Sequence, residues 1–198
     1  MIRRALPLVA GLVALLSVAA GCASRTVDVE YPQAQTKKAL LANVAPRRVV
    51  VAPVTDRRGE TRRIGASPED GKPIVPARPV TDIVRDALVA EVGKNGHEVV
   101  AGPGDVIVAA DVEEFWLDAV GRSAKTQYVG RVAIAVAIAD GQTGERLWRR
   151  RYVGLRRQTG EADSRSTWRE VMDMALARTM RDVATDPDLA LTVARTQR

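Results

Sequence analysis

Hydrophobic and small residues alternate most cleanly over Thr126–Asp140, TQYVGRVAIAVAIAD. There Val132, Ile134, Val136 and Ile138 point one way and Ala133, Ala135, Ala137 and Ala139 the other. Apolar side chains on both faces predict a central strand, its branched face filling a core and its alanine face admitting a further layer at close range. The turn Asp140-Gly141-Gln142-Thr143-Gly144 leads into Glu145–Leu155, ERLWRRRYVGL, which reads as the antiparallel return of a long hairpin. Trp148, Arg150 and Tyr152 share one face of that return, while Leu147, Arg149, Arg151 and Val153 share the other. Such a mixture predicts an exposed strand near a sheet edge. Upstream, Asp105–Asp118 is a second long strand whose alternation shifts at Glu113-Glu114, the signature of a bulge.

Shorter elements complete the pattern. RVVVAPV, Arg48–Val54, is a β-branched run expected in a buried strand, and His97–Val100 is a short one. Between them Thr55–Pro79 is rich in Arg, Gly and Pro and reads as a long loop or hairpin, with short strands at Ile64 and Ile74-Val75 around a Pro68–Gly71 turn. The helical period takes over at Val80, Ile83, Val84, Ala87, Leu88 and Val92, which lie on one face of a helix over 80–93 capped by Thr81. It returns at Trp168, Val171, Met172, Ala175, Leu176 and Val183, where Thr167 and Glu170 have the spacing of a capping box. Asp186-Pro187 then opens a short last helix running to Val193. The order predicts an α+β domain: a mixed, mostly antiparallel sheet with two main helices packed on one face.

The first residues follow a different rule. MIRRALPLVAGLVALLSVAAGC has Arg3 and Arg4, then an apolar run over Ala5–Ala20, then small residues up to Cys22. Charge, a short apolar run and small residues in that order describe a secretory signal. The run, at about 16 residues, is short of the roughly 20 that span a bilayer comfortably. The chain is therefore divided into a signal at 1–21, a lipidated N-terminus and flexible tether at 22–46, and a single α+β domain at 47–198. The tether reading rests on a polar, aperiodic stretch, with room for one short strand near Val27–Tyr31.

Composition narrows the chemistry. One cysteine excludes an intrachain disulfide framework, and one histidine with no free thiol leaves too few ligands for zinc, so no metal or other cofactor is expected. A nucleophile–base set would have to use His97, which reads instead as a plain surface residue beside a strand. Glu113-Glu114, Glu69-Asp70 and Glu170/Asp173 are read as solvated charge, since neighbours on a strand point to opposite faces and cannot cooperate. The net charge is +6, of which Arg3 and Arg4 carry two, leaving a mildly basic and evenly mixed mature chain, which is weak support for nucleic acid. No catalytic group is assigned.

Ala19-Ala20-Gly21-Cys22 resembles the lipobox of bacterial lipoproteins, with Ala19 where Leu is usual. With RVVVAPV, PVTDIVRDALVAEVGKNGHEV, RVAIAVAIAD and TWREVMDMALARTMRDVATDPDLA in that order, the chain is similar to the YajG-like family of bacterial lipoproteins from Met1 to about Ala194. The resemblance implies acylation of the Cys22 sulfur, cleavage after Gly21 and a membrane anchored through lipid. The absence of Asp after Cys22 implies the outer membrane, with the domain facing the periplasm. The family contributes no catalytic residue. The expected function is a non-catalytic envelope domain that binds a protein partner or an anionic polymer, or serves a transport or secretion complex as an accessory subunit; its oligomeric state is open. A glycan- or lipid-acting enzyme is the disfavoured rival. The arginine-rich return strand, with Arg149, Arg150, Arg151, Trp148 and Tyr152, is the candidate contact surface, because guanidinium groups bind phosphate and carboxylate in a two-pronged fashion; the favoured alternatives are a solvated basic face for the arginines and packing under the second helix for Trp148 and Tyr152.

Overall fold

A computed structural model describes residues 25–33, 37–121 and 125–196. Three long strands form its spine: β7 (Val106–Val120), β8 (Lys125–Asp140) and β9 (Arg146–Glu161), each antiparallel to the next. The alanine-and-valine strand β8 lies in the middle, as its two apolar faces require, and β9 pairs with β8 alone. The other margin of β7 is closed by three short parallel strands laid end to end: β2 (Arg48–Val51), β3 (Thr55–Asp56) and β4 (Gly65–Ala66). Outside them lie β6 (Glu98–Val99) on β2, β5 (Pro73–Pro76) on β4, and β1 (Arg25–Val27) on β5. The result is one mixed, mostly antiparallel sheet, because the long strands carry most of the pairing.

The bulge sits between Val112 and Glu114 in the β7–β8 register. It places two successive carboxylates away from the core and lets Phe115 and Leu117 rejoin Val106, Val108 and Val112 on the buried face, all at or below 6% exposure. That face is covered by α1 (Val80–Lys94), α2 (Arg165–Ala184) and α3 (Pro187–Arg195). Two caps differ from expectation. The α1 cap is Pro79, without a side-chain hydrogen bond, because Thr81 already lies inside the first turn. The α2 helix starts earlier than the Thr167 signal implies: Ser164 is the cap, and its hydroxyl accepts from Thr167 N. Asp186 and Pro187 open α3 as expected, the Asp186 carboxylate accepting from Asp188 N and Leu189 N.

Helix α2 lies very close to the sheet, and glycines make that possible. A Cβ on Gly154 would overlap the carbonyl of Ala175 and the hydroxyl of Thr179, and one on Gly130 would come within 2.8 Å of Val171. One on Gly160 would meet Thr167 at 2.7 Å. These positions form a track on β8 and β9 along which the helix backbone rests. The buried Thr179 hydroxyl donates to Val132 O at 3.1 Å across the same contact.

The segment read as a tether is bound to the domain where it is described. Val27 and Val29 are buried, at 2% and 0% exposure. Arg25 pairs with Asp163 at 2.6 Å, with Asp70, and with Glu69 at 3.7 Å. Tyr31 donates to the buried Glu91 carboxylate, and Ala39 N donates to Asn95 at 2.8 Å. Arg25–Val27 extends the sheet beyond β5 as β1, and Val29 and Tyr31 beyond it pack against the core.

Gly154→Val should lower unfolding stability by about 1–3 kcal/mol, since a branched side chain pushes α2 off the sheet. Denaturant unfolding read by circular dichroism checks this; an unchanged midpoint contradicts the close seating.

Candidate functional site

The lipidation residue Cys22 lies outside the described residues. The remaining expected site residues, on β9, are divided between the two faces of the sheet. On the covered face Tyr152 is buried and donates to Asp186 at 2.8 Å, while Arg150 binds Asp186 and Asp188, both at 2.6 Å. Trp148 is half-buried, its ring centroid 6.1 Å from that of Tyr152 and 5.6 Å from the Arg150 guanidinium carbon. Burial by itself raises the Asp186 carboxyl, but hydrogen bonds from Tyr152, Leu189, Arg150 and Asp188 outweigh it and hold the group below its ordinary range. Burial and then Asp186 push the Tyr152 hydroxyl up. Trp148, Arg150 and Tyr152 thus fasten the start of α3 to the sheet.

On the other face Arg149 reaches Asp111 at 2.9 Å and Arg151 reaches Glu113 at 2.6 Å. Both cross β8 to reach β7, which lies two strand spacings from β9, about 10 Å. They can do so because β8 offers only alanine underneath: Ala135 is paired with Asp111 on one side and Arg151 on the other, and Ala137 with Ala109 and Arg149. Farther along, Arg131 joins Glu114 at 2.6 Å and Asp118 at 2.7 Å. The expected second layer over the alanines is therefore replaced by a lattice of arginine–carboxylate pairs. An arginine stem covers apolar surface while its head stays in water, which is how a single-residue-deep cover suffices. None of the three β9 arginines expected to bind a ligand is left without a carboxylate.

Cations without such partners gather elsewhere. A groove of about 510 Å³ runs along the outer flank of α2. Arg178 and Arg181 project into it from α2, Arg156 from β9, Lys94 from the end of α1, and Lys37 and Lys38 from the segment that leads to a 3-10 turn at Leu40–Asn43. Leu155, Met174 and Ala177 supply apolar wall. Lys94 is bound to Glu91 at 2.6 Å. Among the described residues no carboxylate forms an ion pair with Lys37, Lys38, Arg156, Arg178 or Arg181, and no acidic side chain lines the groove. Met174, Arg178 and Arg181 lie at helical spacing, a signal present in the sequence; their meeting with Lys37, Lys38 and Arg156 is a tertiary event that spacing cannot show.

His97 is buried, at 5% exposure, and not a surface residue. Its Nδ1 accepts from Arg47 N at 3.2 Å, so its Nε2–H donates to Leu41 O at 3.0 Å. Both ring nitrogens are occupied by backbone, and the ring joins the ends of α1, β2 and the 3-10 turn. Burial lowers its pKa, the Leu41 carbonyl partly offsets this, and the Arg47 charge adds to the lowering. Among the described residues no group of three or more His, Cys, Asp or Glu side chains could hold a metal ion. No helix among them is long and apolar enough to cross a membrane.

No family model matches the chain, and no curated protein matches it. Among solved structures it is similar to the protein XCC0632 of Xanthomonas campestris, from the family DUF330, with a TM-score of 0.59 at 16% identity over 85% of this chain and 94% of that one. That likeness extends to the fold. The hypothetical protein CT253 of Chlamydia trachomatis follows at a TM-score of 0.49, 13% identity, and coverage of 75% and 98%. A minor lipoprotein of Acinetobacter baumannii gives 0.40 at 12% identity, with coverage of 71% and 92%.

The His97 geometry predicts a pH effect. Its folded-state pKa lies below the unfolded value of 6.5, so the unfolded chain takes up the proton first. Stability should be complete above pH 6.5 and fall as the pH drops through the lowered value. Thermal unfolding at steps between pH 7.5 and pH 5 measures the slope, and His97→Gln should flatten it; an equal slope in the variant contradicts the assignment.

Proposed function

We propose that this chain is an exported bacterial lipoprotein, acylated at Cys22 and held at the outer membrane with its domain in the periplasm. Its domain carries out no covalent chemistry and binds an anionic envelope ligand in the α2 groove. The lipobox and the YajG-like order of motifs support the anchor. The observation that carries the binding reading is the concentration of five basic side chains without ion-pair partners among the described residues, along one groove with no acidic wall. Arg149, Arg150 and Arg151, by contrast, each meet a carboxylate, so a set of unmatched cations gathered in one groove has electrostatic potential left for a ligand. Guanidinium groups suit phosphate or carboxylate oxygens, and the leucine, methionine and alanine wall tolerates an apolar portion of the same molecule.

The binding surface proposed here replaces the β9 arginines as the expected contact, because those side chains already serve the sheet and α3. Inorganic polyphosphate is a suitable probe for isothermal titration. Replacing Arg156, Arg178 and Arg181 with alanine should weaken binding by roughly two- to fivefold per cation removed, in the range of exposed ion pairs, and added salt should weaken it further. Arg149→Ala with Arg151→Ala should leave affinity unchanged. The reverse ranking refutes the groove.

The anchor has its own test. Wild-type protein recovered from cells should partition into the detergent phase and carry acyl mass on its N-terminal peptide, and Cys22→Ser should lose both. A wild type without acyl mass refutes the lipoprotein reading.

A further inference from the structure

The position of β1 at the edge of the sheet fixes where the chain enters the domain. Arg25 opens β1 at the edge of the sheet, in register with Ile74 of β5, then Gly65 of β4, then Leu117 of β7. Strand β1 is parallel to β5, β5 antiparallel to β4, and β4 parallel to β7. The chain preceding Arg25 therefore leaves from the end of the sheet at which β7 finishes. Only three peptide steps separate Cys22 from Arg25, so the two Cα atoms are at most about 11 Å apart whatever path the chain takes.

Arg25 is itself fixed. Its guanidinium joins Asp70, Asp163 and Glu69, and Ser67 donates to Asp163 at 3.0 Å. Asp163 follows Glu161, which is paired with Lys125 at the start of β8. The same end of the molecule thus contains the Ser67–Lys72 turn, the close of β7 with the start of β8, and the entry to α2. Val120, the last residue of β7, lies there with 59% exposure, the most exposed large apolar side chain among the described residues.

We infer that this end of the domain lies in the headgroup layer of the bilayer carrying the acyl chains, with Val120 against the lipid. The inference rests on the proposed acylation of Cys22. A three-residue spacer reaches about 11 Å at most, little more than the roughly 5–8 Å headgroup layer of one leaflet, so this end of the domain stays at the bilayer surface, and the Arg25 cluster holds β1 in the sheet against lengthening that reach. The opposite end, with the β8–β9 turn and the exposed Leu147, then stands roughly 40 Å farther out, the length of β7.

Acylated protein in vesicles of phosphatidylethanolamine and phosphatidylglycerol tests this. Acylation consumes the Cys22 thiol, so Val120→Cys and Leu147→Cys each offer one site for an environment-sensitive fluorophore. The dye at 120 should shift to the blue and lose emission to a headgroup spin-labelled lipid, while the dye at 147 should do neither. A glycine-serine insertion of about 20 residues after Ser24 should abolish the effect at 120, because it extends the reach by tens of ångströms. Acylated, vesicle-bound protein whose 120 dye behaves like the 147 dye overturns the inference and leaves the anchor intact. Quenching that survives the insertion overturns the claim that the short connection imposes the contact. Protein that carries no acyl mass and does not float with vesicles removes the lipoprotein reading itself.

Discussion

The seating of α2 on Gly130, Gly154 and Gly160 is the contact on which the rest of the arrangement depends. With the helix backbone brought down to β8 and β9, one helical layer suffices to bury Val132, Ile134, Val136 and Ile138. Among the described residues no further element covers the opposite face. Alanine on β8 solves that problem chemically: its small side chains let arginines of β9 lie across them and end on carboxylates of β7. Each such pair is partly exposed and worth little alone, at most about 1 kcal/mol. Collectively they keep a broad apolar surface out of water and leave few charges on it unmatched.

That division determines where a ligand could find unmatched charge. The covered face is filled by helices, and Arg149, Arg150 and Arg151 are spent within the fold, two on the lattice and Arg150 on the first turn of α3. The outer flank of α2 is different. Its cations face a groove, they come from four separate parts of the chain, and the one that is neutralised, Lys94, is held by the buried Glu91. The likeness to the Xanthomonas campestris protein agrees with this architecture at the level of fold; function has to be read from the groove itself.

Much of the frame was legible in the sequence because it depends on period. The alternation of β8 marked it as central, the shift at Glu113-Glu114 marked the bulge, and the helical spacings placed α1, α2 and α3. Helix starts were missed by a few residues at α2, since Ser164 and Thr167 compete as caps and only the path of the preceding strand decides between them. The tether reading failed for 25–33 because three paired residues at a sheet edge leave almost no periodic signal. The engagement of the β9 arginines was hidden for a related reason. A run of arginines on one strand is visible in sequence, but whether each meets a carboxylate is set by register across two neighbours. His97 shows the same limit: its burial follows from Arg47 and Leu41, some fifty residues away.

The claim that unmatched cations on α2, and not the arginine strand, receive the anionic ligand is tested most directly by nuclear magnetic resonance. Amide shifts of the isotope-labelled protein would be followed as an anionic ligand is added. The account predicts that the moving resonances cluster at Lys37–Ala39, Arg156 and Ala177–Thr185. Movement concentrated at Arg149–Arg151 and the facing residues of β7, with α2 silent, would contradict it.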